Sequence, residues 1–100
     1  MSVVGKFGLP QSVIHSMKGI FSKHGADVLL YGSRAMGNFK RGSDIDLVIM
    51  NLTFSTDQLL KIESELDDLL IPYKIDLCLF HHIENPELRA HIERVGVAFE

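Results

Sequence analysis

Three aspartates and a Gly-Ser pair are the residues here whose types and spacing could do chemistry. Asp44 and Asp46 stand in the run Asp44-Ile45-Asp46-Leu47, Asp76 sits in Ile75-Asp76-Leu77, and ten residues separate Gly32-Ser33 from Asp44. Gathered carboxylates repel, and one is pushed toward protonation unless a cation neutralises them. Mg²⁺ takes oxygen ligands and is often shared between one or two carboxylates and substrate phosphates. Two such ions about 3.5–4 Å apart clamp the attacking and leaving oxygens of phosphoryl or nucleotidyl transfer. Gly32 would let a phosphate approach the backbone. Ser33 would add a hydroxyl and, with the turn after it, the N–H groups of a helix start.

The elements that must position these groups can be read from periodicity and punctuation. Val28 to Tyr31, Ile45 to Met50 and Lys74 to Phe80 are predicted strands. Pro10 suits a helix start, Val13, Met17, Ile20 and Phe21 follow at helical spacing, and Gly25 is a plausible stop. Ser33 to Met36 reads as a short turn ended by Gly37, and residues 38–43 as a loop. Ser55 or Thr56 caps an amphipathic helix carrying Leu59, Ile62, Leu66, Leu69 and Leu70, which Pro72 stops. Asn85-Pro86 opens a last helix with Leu88, Ile92, Val95 and Phe99 on one face. The order is α-β-(turn)-β-α-β-α. It predicts an α/β (α+β) fold: a small mixed β-sheet with helices packed on one face. One domain is expected over residues 1–100, with 1–8 as a loose arm.

Strand alternation then turns spacing into geometry. Ile45, Leu47 and Ile49 share one face of their strand, as do Ile75, Leu77 and Leu79, and these triplets suit a helix-covered core. Asp44, Asp46 and Asp76 fall on the opposite face. Parallel second and third strands place all three at one end of the sheet, and an antiparallel first strand delivers Gly32-Ser33 to that same end. Val48, Met50, Cys78 and Phe80 share the aspartate face and are expected to be left uncovered, as a partner or self-association surface.

Bulk properties narrow the field. The 100 residues carry a formal charge of −3, which argues against holding nucleic acid by bulk electrostatics. One cysteine, Cys78, excludes an internal disulfide framework and a cysteine-only zinc site. No signal peptide and no apolar run near the roughly 20 residues of a membrane span are evident, so a cytoplasmic location is expected.

The run Gly32-Ser33-Arg34-Ala35-Met36-Gly37, followed by Ser43-Asp44-Ile45-Asp46-Leu47 and by Asp76 in a later strand, resembles the signature of the nucleotidyltransferase superfamily related to DNA polymerase beta. It is most like the minimal nucleotidyltransferases (MNT) of bacteria and archaea, which consist of little more than the catalytic core. The resemblance spans residue 10 to the end. It implies that Asp44 and Asp46 are metal ligands and that Asp76 is a further ligand or the base for an incoming hydroxyl. Gly32 and Ser33 would hold the nucleotide phosphates, with Arg34 helping to neutralise them. It also implies Mg²⁺, as two ions, and ATP as substrate. Many such proteins form toxin–antitoxin pairs with a helical HEPN-type ribonuclease, and in some pairs the nucleotidyltransferase is the antitoxin and transfers AMP to a toxin tyrosine. Met36 departs from relatives that often carry a second basic residue there.

The remaining candidates have plainer readings. Arg34, Lys40 and Arg41 serve equally well as solvated loop charges or phosphate contacts. Cys78 reads as a small strand residue. His81-His82 lacks the i, i+4 geometry of helical metal sites and reads as a loop. His15, His24 and His91 are scattered, and the acidic run from Glu63 to Asp68 reads as a solvated helix face. Two other functions remain open: a non-catalytic nucleotide-binding module that neutralises a helical partner, and nucleotidyl transfer to a small molecule. The second would need an acceptor pocket from another subunit.

Overall fold

The computed structural model describes residues 6–100. Its helices begin and end where side chains satisfy the backbone. α1 (Gln11–Lys23) follows Pro10 and closes in a Schellman motif around Gly25, whose φ of 67° suits a residue without Cβ. There the Ala26 N–H donates to the Phe21 carbonyl (2.9 Å) and the Gly25 N–H to the Ser22 carbonyl (3.1 Å). α3 (Thr56–Asp67) starts in a capping box: the Gln58 N–H donates to Ser55 Oγ (3.2 Å), and the Ser55 N–H donates to Gln58 Oε1 (2.7 Å). α4 (Pro86–Val95) has Asn85 Oδ1 accepting from the Glu87 N–H (2.8 Å), with Pro86 in the first turn.

The strands β1 (Val28–Tyr31), β2 (Ile45–Ile49), β3 (Ile75–Leu79) and β4 (Val97–Ala98) form one sheet in the order β3-β2-β1-β4. β1 and β2 are antiparallel, joined through the short helix α2 (Ser33–Met36) and the loop after it. β2 and β3 are parallel, connected by α3. The α/β class and the mixed sheet are thus as the sequence predicts. The main core lies between the sheet and the pair α1–α3, where Ile45, Leu47, Ile49, Leu77 and Leu79 meet Met17, Phe21, Ile62 and Leu66.

Four expectations change. The last helix ends at Val95 rather than continuing to Phe99. Gly96 breaks it, and Val97–Ala98 pair with β1 as an edge strand. Phe99 then enters the main core, stacked on Phe7 with ring centroids 5.9 Å apart and edge-on to Phe21 at the same distance. α4 does not join α1 and α3 but packs on the opposite face. Ile92, Leu88 and Val95 cover Val48, Tyr31, Cys78 and Phe80. The apolar part of the aspartate face is therefore buried within the chain: burial removes that surface from water, and Val48 and Ile92 are fully enclosed. Within the expected loose arm, residues 1–5 lie outside the described residues, whereas Lys6–Gly8 form a 3₁₀ turn packed by Phe7.

Candidate active site

The three aspartates stand where the alternation puts them. Asp46 on β2 is in register with Asp76 on β3 and, across the other ladder, with Tyr31 on β1. Asp44 precedes Asp46 by two residues, just ahead of β2 and near enough for its charge to act on Asp46. Asp44 and Asp76 are exposed and Asp46 is half-buried. The Asp46 carboxyl is pushed above the usual carboxylate range, first by burial, then by the like charges of Asp76 and Asp44. Arg34 and His91 pull it back in part.

Gly32 ends β1 beside Asp46. Its φ of 75° and ψ of −155° belong to a region that side chains rarely enter, and a Cβ there would overlap the Asp46 carboxylate. Only glycine satisfies both conditions. Ser33 begins α2, which Gly37 closes in the left-handed conformation while its N–H donates to the Ser33 carbonyl (2.9 Å). The first i→i−4 bond of α2 runs from the Met36 N–H to the Gly32 carbonyl (3.1 Å), which leaves the N–H groups before it outside the helix's own bonding.

Arg34 does not open toward that corner. It is 3% exposed, and all its bonds go to main-chain carbonyls. Nε (3.2 Å) and Nη2 (2.9 Å) donate to the carbonyl of Ser43, and Nη1 donates to that of Phe7 (2.8 Å). The guanidinium lies over the rings of Phe39 and Tyr73, 5.1 and 5.4 Å from their centroids. Lys40 and Arg41 are exposed on a tight turn that Ser43 fastens, its Oγ accepting from the Lys40 N–H at 2.8 Å.

Two residues on the aspartate face were not legible as site residues. Tyr31 forms the floor beside Asp46, and its hydroxyl lies 3.9 Å from Cys78 Sγ. Burial and the neighbouring Cys78 raise its phenol far above the ordinary range, so it stays neutral. His91 of α4 meets the Tyr31 ring edge-on, with centroids 6.2 Å apart. Its signal was available only once α4 was known to lie on this face. Cys78 is half-buried and its thiol is raised by burial, which makes it a poor nucleophile. One nitrogen of the His81 ring lies 2.9 Å from the Phe54 carbonyl, a fixed loop role.

The donor chemistry of this corner suits a hard divalent cation. All the candidate donors are carboxylate oxygens, and the raised Asp46 marks charge that a cation would relieve. Among the described residues no group of three or more His, Cys, Asp or Glu side chains is gathered closely enough to hold a metal ion by itself.

A parallel β2–β3 pair with an antiparallel β1, the aspartates on one face and a glycine turn against them define a nucleotidyltransferase fold. The chain belongs to the polymerase beta nucleotidyltransferase family, whose profile matches residues 16–99. It is similar in fold to a protein provisionally described as a minimal nucleotidyltransferase (22% identity, TM-score 0.68, covering 87% of this chain and 89% of that one). It is also similar to a chain from a toxin–antitoxin solved with AMP-PNP (18% identity, TM-score 0.67, covering 87% of this chain and 72% of the other). No curated protein matches the sequence. No helix among the described residues is long and apolar enough to cross a membrane.

Proposed function

We propose that this nucleotidyltransferase moves a nucleoside monophosphate, AMP from ATP, onto a hydroxyl of a partner protein, and acts as the antitoxin to a HEPN-type toxin. The observation that carries this reading is the register of Asp46 with Asp76 at the end of the sheet where Gly32 touches Asp46. Asp44 and Asp46 are the residues that would hold Mg²⁺, with Asp76 as a third ligand or as the base. Bound there, the cation would neutralise the carboxylates and polarise the phosphate under attack. The bare backbone at Gly32 and the donors of Ser33 would seat the phosphates. Asp76, exposed at the rim, would in the second role accept the proton of an incoming hydroxyl.

The acceptor is best supplied by another molecule. A cleft of about 340 Å³ lies along α1, lined by Lys6, Gln11, Ile14, His15, Lys18 and Glu100, and none of the three aspartates borders it. The carboxylate corner is open instead. A macromolecular acceptor suits that openness, and the toxin–antitoxin likeness supports a protein partner.

The test is transfer of label from α-labelled ATP to the product of the adjacent gene. Transfer is expected with the native chain and lost in Asp44→Asn and Asp46→Asn. Undiminished transfer by both variants would remove the assigned site. Neutralisation of the partner by the double variant, without transfer, would favour the docking function instead.

A further inference from the structure

We infer that Arg34 is a positioning residue for the carboxylate corner: its buried guanidinium fixes the Ser43 carbonyl, and with it the entry of Asp44 and Asp46 into β2, and does not itself bind the nucleotide. The inference rests on the proposed use of Asp44 and Asp46 as metal ligands.

Arginine has five N–H donors in a rigid planar fork, and burial makes each unpaired donor costly. Here Nε and Nη2 converge on one acceptor, the carbonyl of the residue directly before Asp44, and Nη1 takes the Phe7 carbonyl. The two aromatic rings set the plane of the fork. The fixed carbonyl lies at a junction between a turn and a strand. On one side, Ser43 Oγ and N–H close the Lys40 turn. On the other, the Ile45 N–H begins the β2–β3 ladder by donating to the Lys74 carbonyl at 2.9 Å. Asp44 lies between these anchors, so the Arg34 fork sets where its carboxylate starts. Phe7 and Gly8 extend the same support beneath the loop, and a Cβ at Gly8 would overlap the Phe39 ring. A guanidinium enclosed in this way, 3% exposed, has no face left for a phosphate.

Charge and geometry can be separated by Arg34→Lys. Removing the cation would by itself favour a second cation at the aspartates, whereas lysine keeps the charge and loses the fork. Mn²⁺ binding without nucleotide, followed by the loss of its free-ion EPR signal, is expected to weaken about tenfold or more, as when an outer partner of a metal ligand is lost. Amide exchange at residues 43–46 should quicken while that of Ile62 and Leu66 in α3 stays unchanged. Unchanged Mn²⁺ affinity with a raised KM for ATP would overturn the inference and make Arg34 a phosphate contact. If Arg34→Lys does not fold, Phe39→Leu removes one wall of the guanidinium without altering charge. It should weaken Mn²⁺ binding severalfold, and unaltered binding there would equally count against the role. Asp44→Asn is the control for the underlying reading: native Mn²⁺ affinity in that variant would remove the metal site itself, whatever Arg34 does.

Discussion

The α-carbon of Gly32 faces the carboxylate of Asp46 so closely that no side chain fits between them. Gly32→Ala must therefore displace Asp46 or distort the end of β1, and it also forces a side chain to φ 75°. Backbone strain of this kind costs about 1–3 kcal/mol. A displaced ligand about 1 Å out of place costs on the order of 100-fold in rate. Gly25→Ala is the matched control: φ is also positive there, but nothing lies within 4 Å of the added Cβ. Thermal melts should show both variants destabilised, and label transfer should collapse only for Gly32→Ala.

The charged form of Asp46 is disfavoured in the fold. Its folded-state carboxyl sits above the ordinary range, chiefly through burial and then through Asp76 and Asp44. Between the unfolded and folded values the native state binds more protons, so stability rises as pH falls through the folded value. Asp46→Asn should consequently be the more stable protein at neutral pH without metal, by on the order of a few °C in Tm. That advantage should fade as pH drops below both values. Calorimetry across pH checks the sign, and the same variant should transfer no label.

Ile92 anchors α4 to the face of the sheet away from α1 and α3. Ile92→Ala should cost about 2–5 kcal/mol in urea unfolding, as for other fully buried aliphatic truncations. Its effect should couple with Val48→Ala, which faces the same small core, and add simply to Ile62→Ala in the main core.

Glu65 ties α3 to the end of α1 through Lys23 and His24. Its carboxyl is held below the usual range, first by the hydrogen bond from Lys23 and then by that from His24. A depressed folded value contributes stability that is present above the unfolded value and lost as pH falls through the folded one. Glu65→Gln should lower Tm slightly at neutral pH and low salt, and the difference should vanish in acid and shrink in high salt.

The carboxylate corner was legible because two-residue alternation leaves little choice. Once Ile45, Leu47 and Ile49 are core, Asp44 and Asp46 must face the other way, and Asp76 follows from Ile75 and Leu77 by the same rule. What the sequence concealed lies at the end of the chain and in one side chain. Phe99 falls four residues after Val95, which imitates a continuing helix, yet Gly96 turns the chain into a two-residue strand too short for any pattern to reveal. That strand frees α4 to cover Val48 and brings His91 to the site. Arg34 stands beside Ser33 in the phosphate motif, but its rotamer carries the guanidinium inward to main-chain carbonyls, and spacing does not encode direction.

The shared register of β2 and β3 also makes the protein a detector of its own assembly. A one-residue slip of β3 would turn Asp76 into the core and present Leu77 to the corner, because every side chain changes face together. Newly made chains with mispaired strands would thus lack a complete carboxylate set. Specific activity divided by total folded protein should report the fraction of molecules correctly threaded, a quality gauge needing no conformational probe.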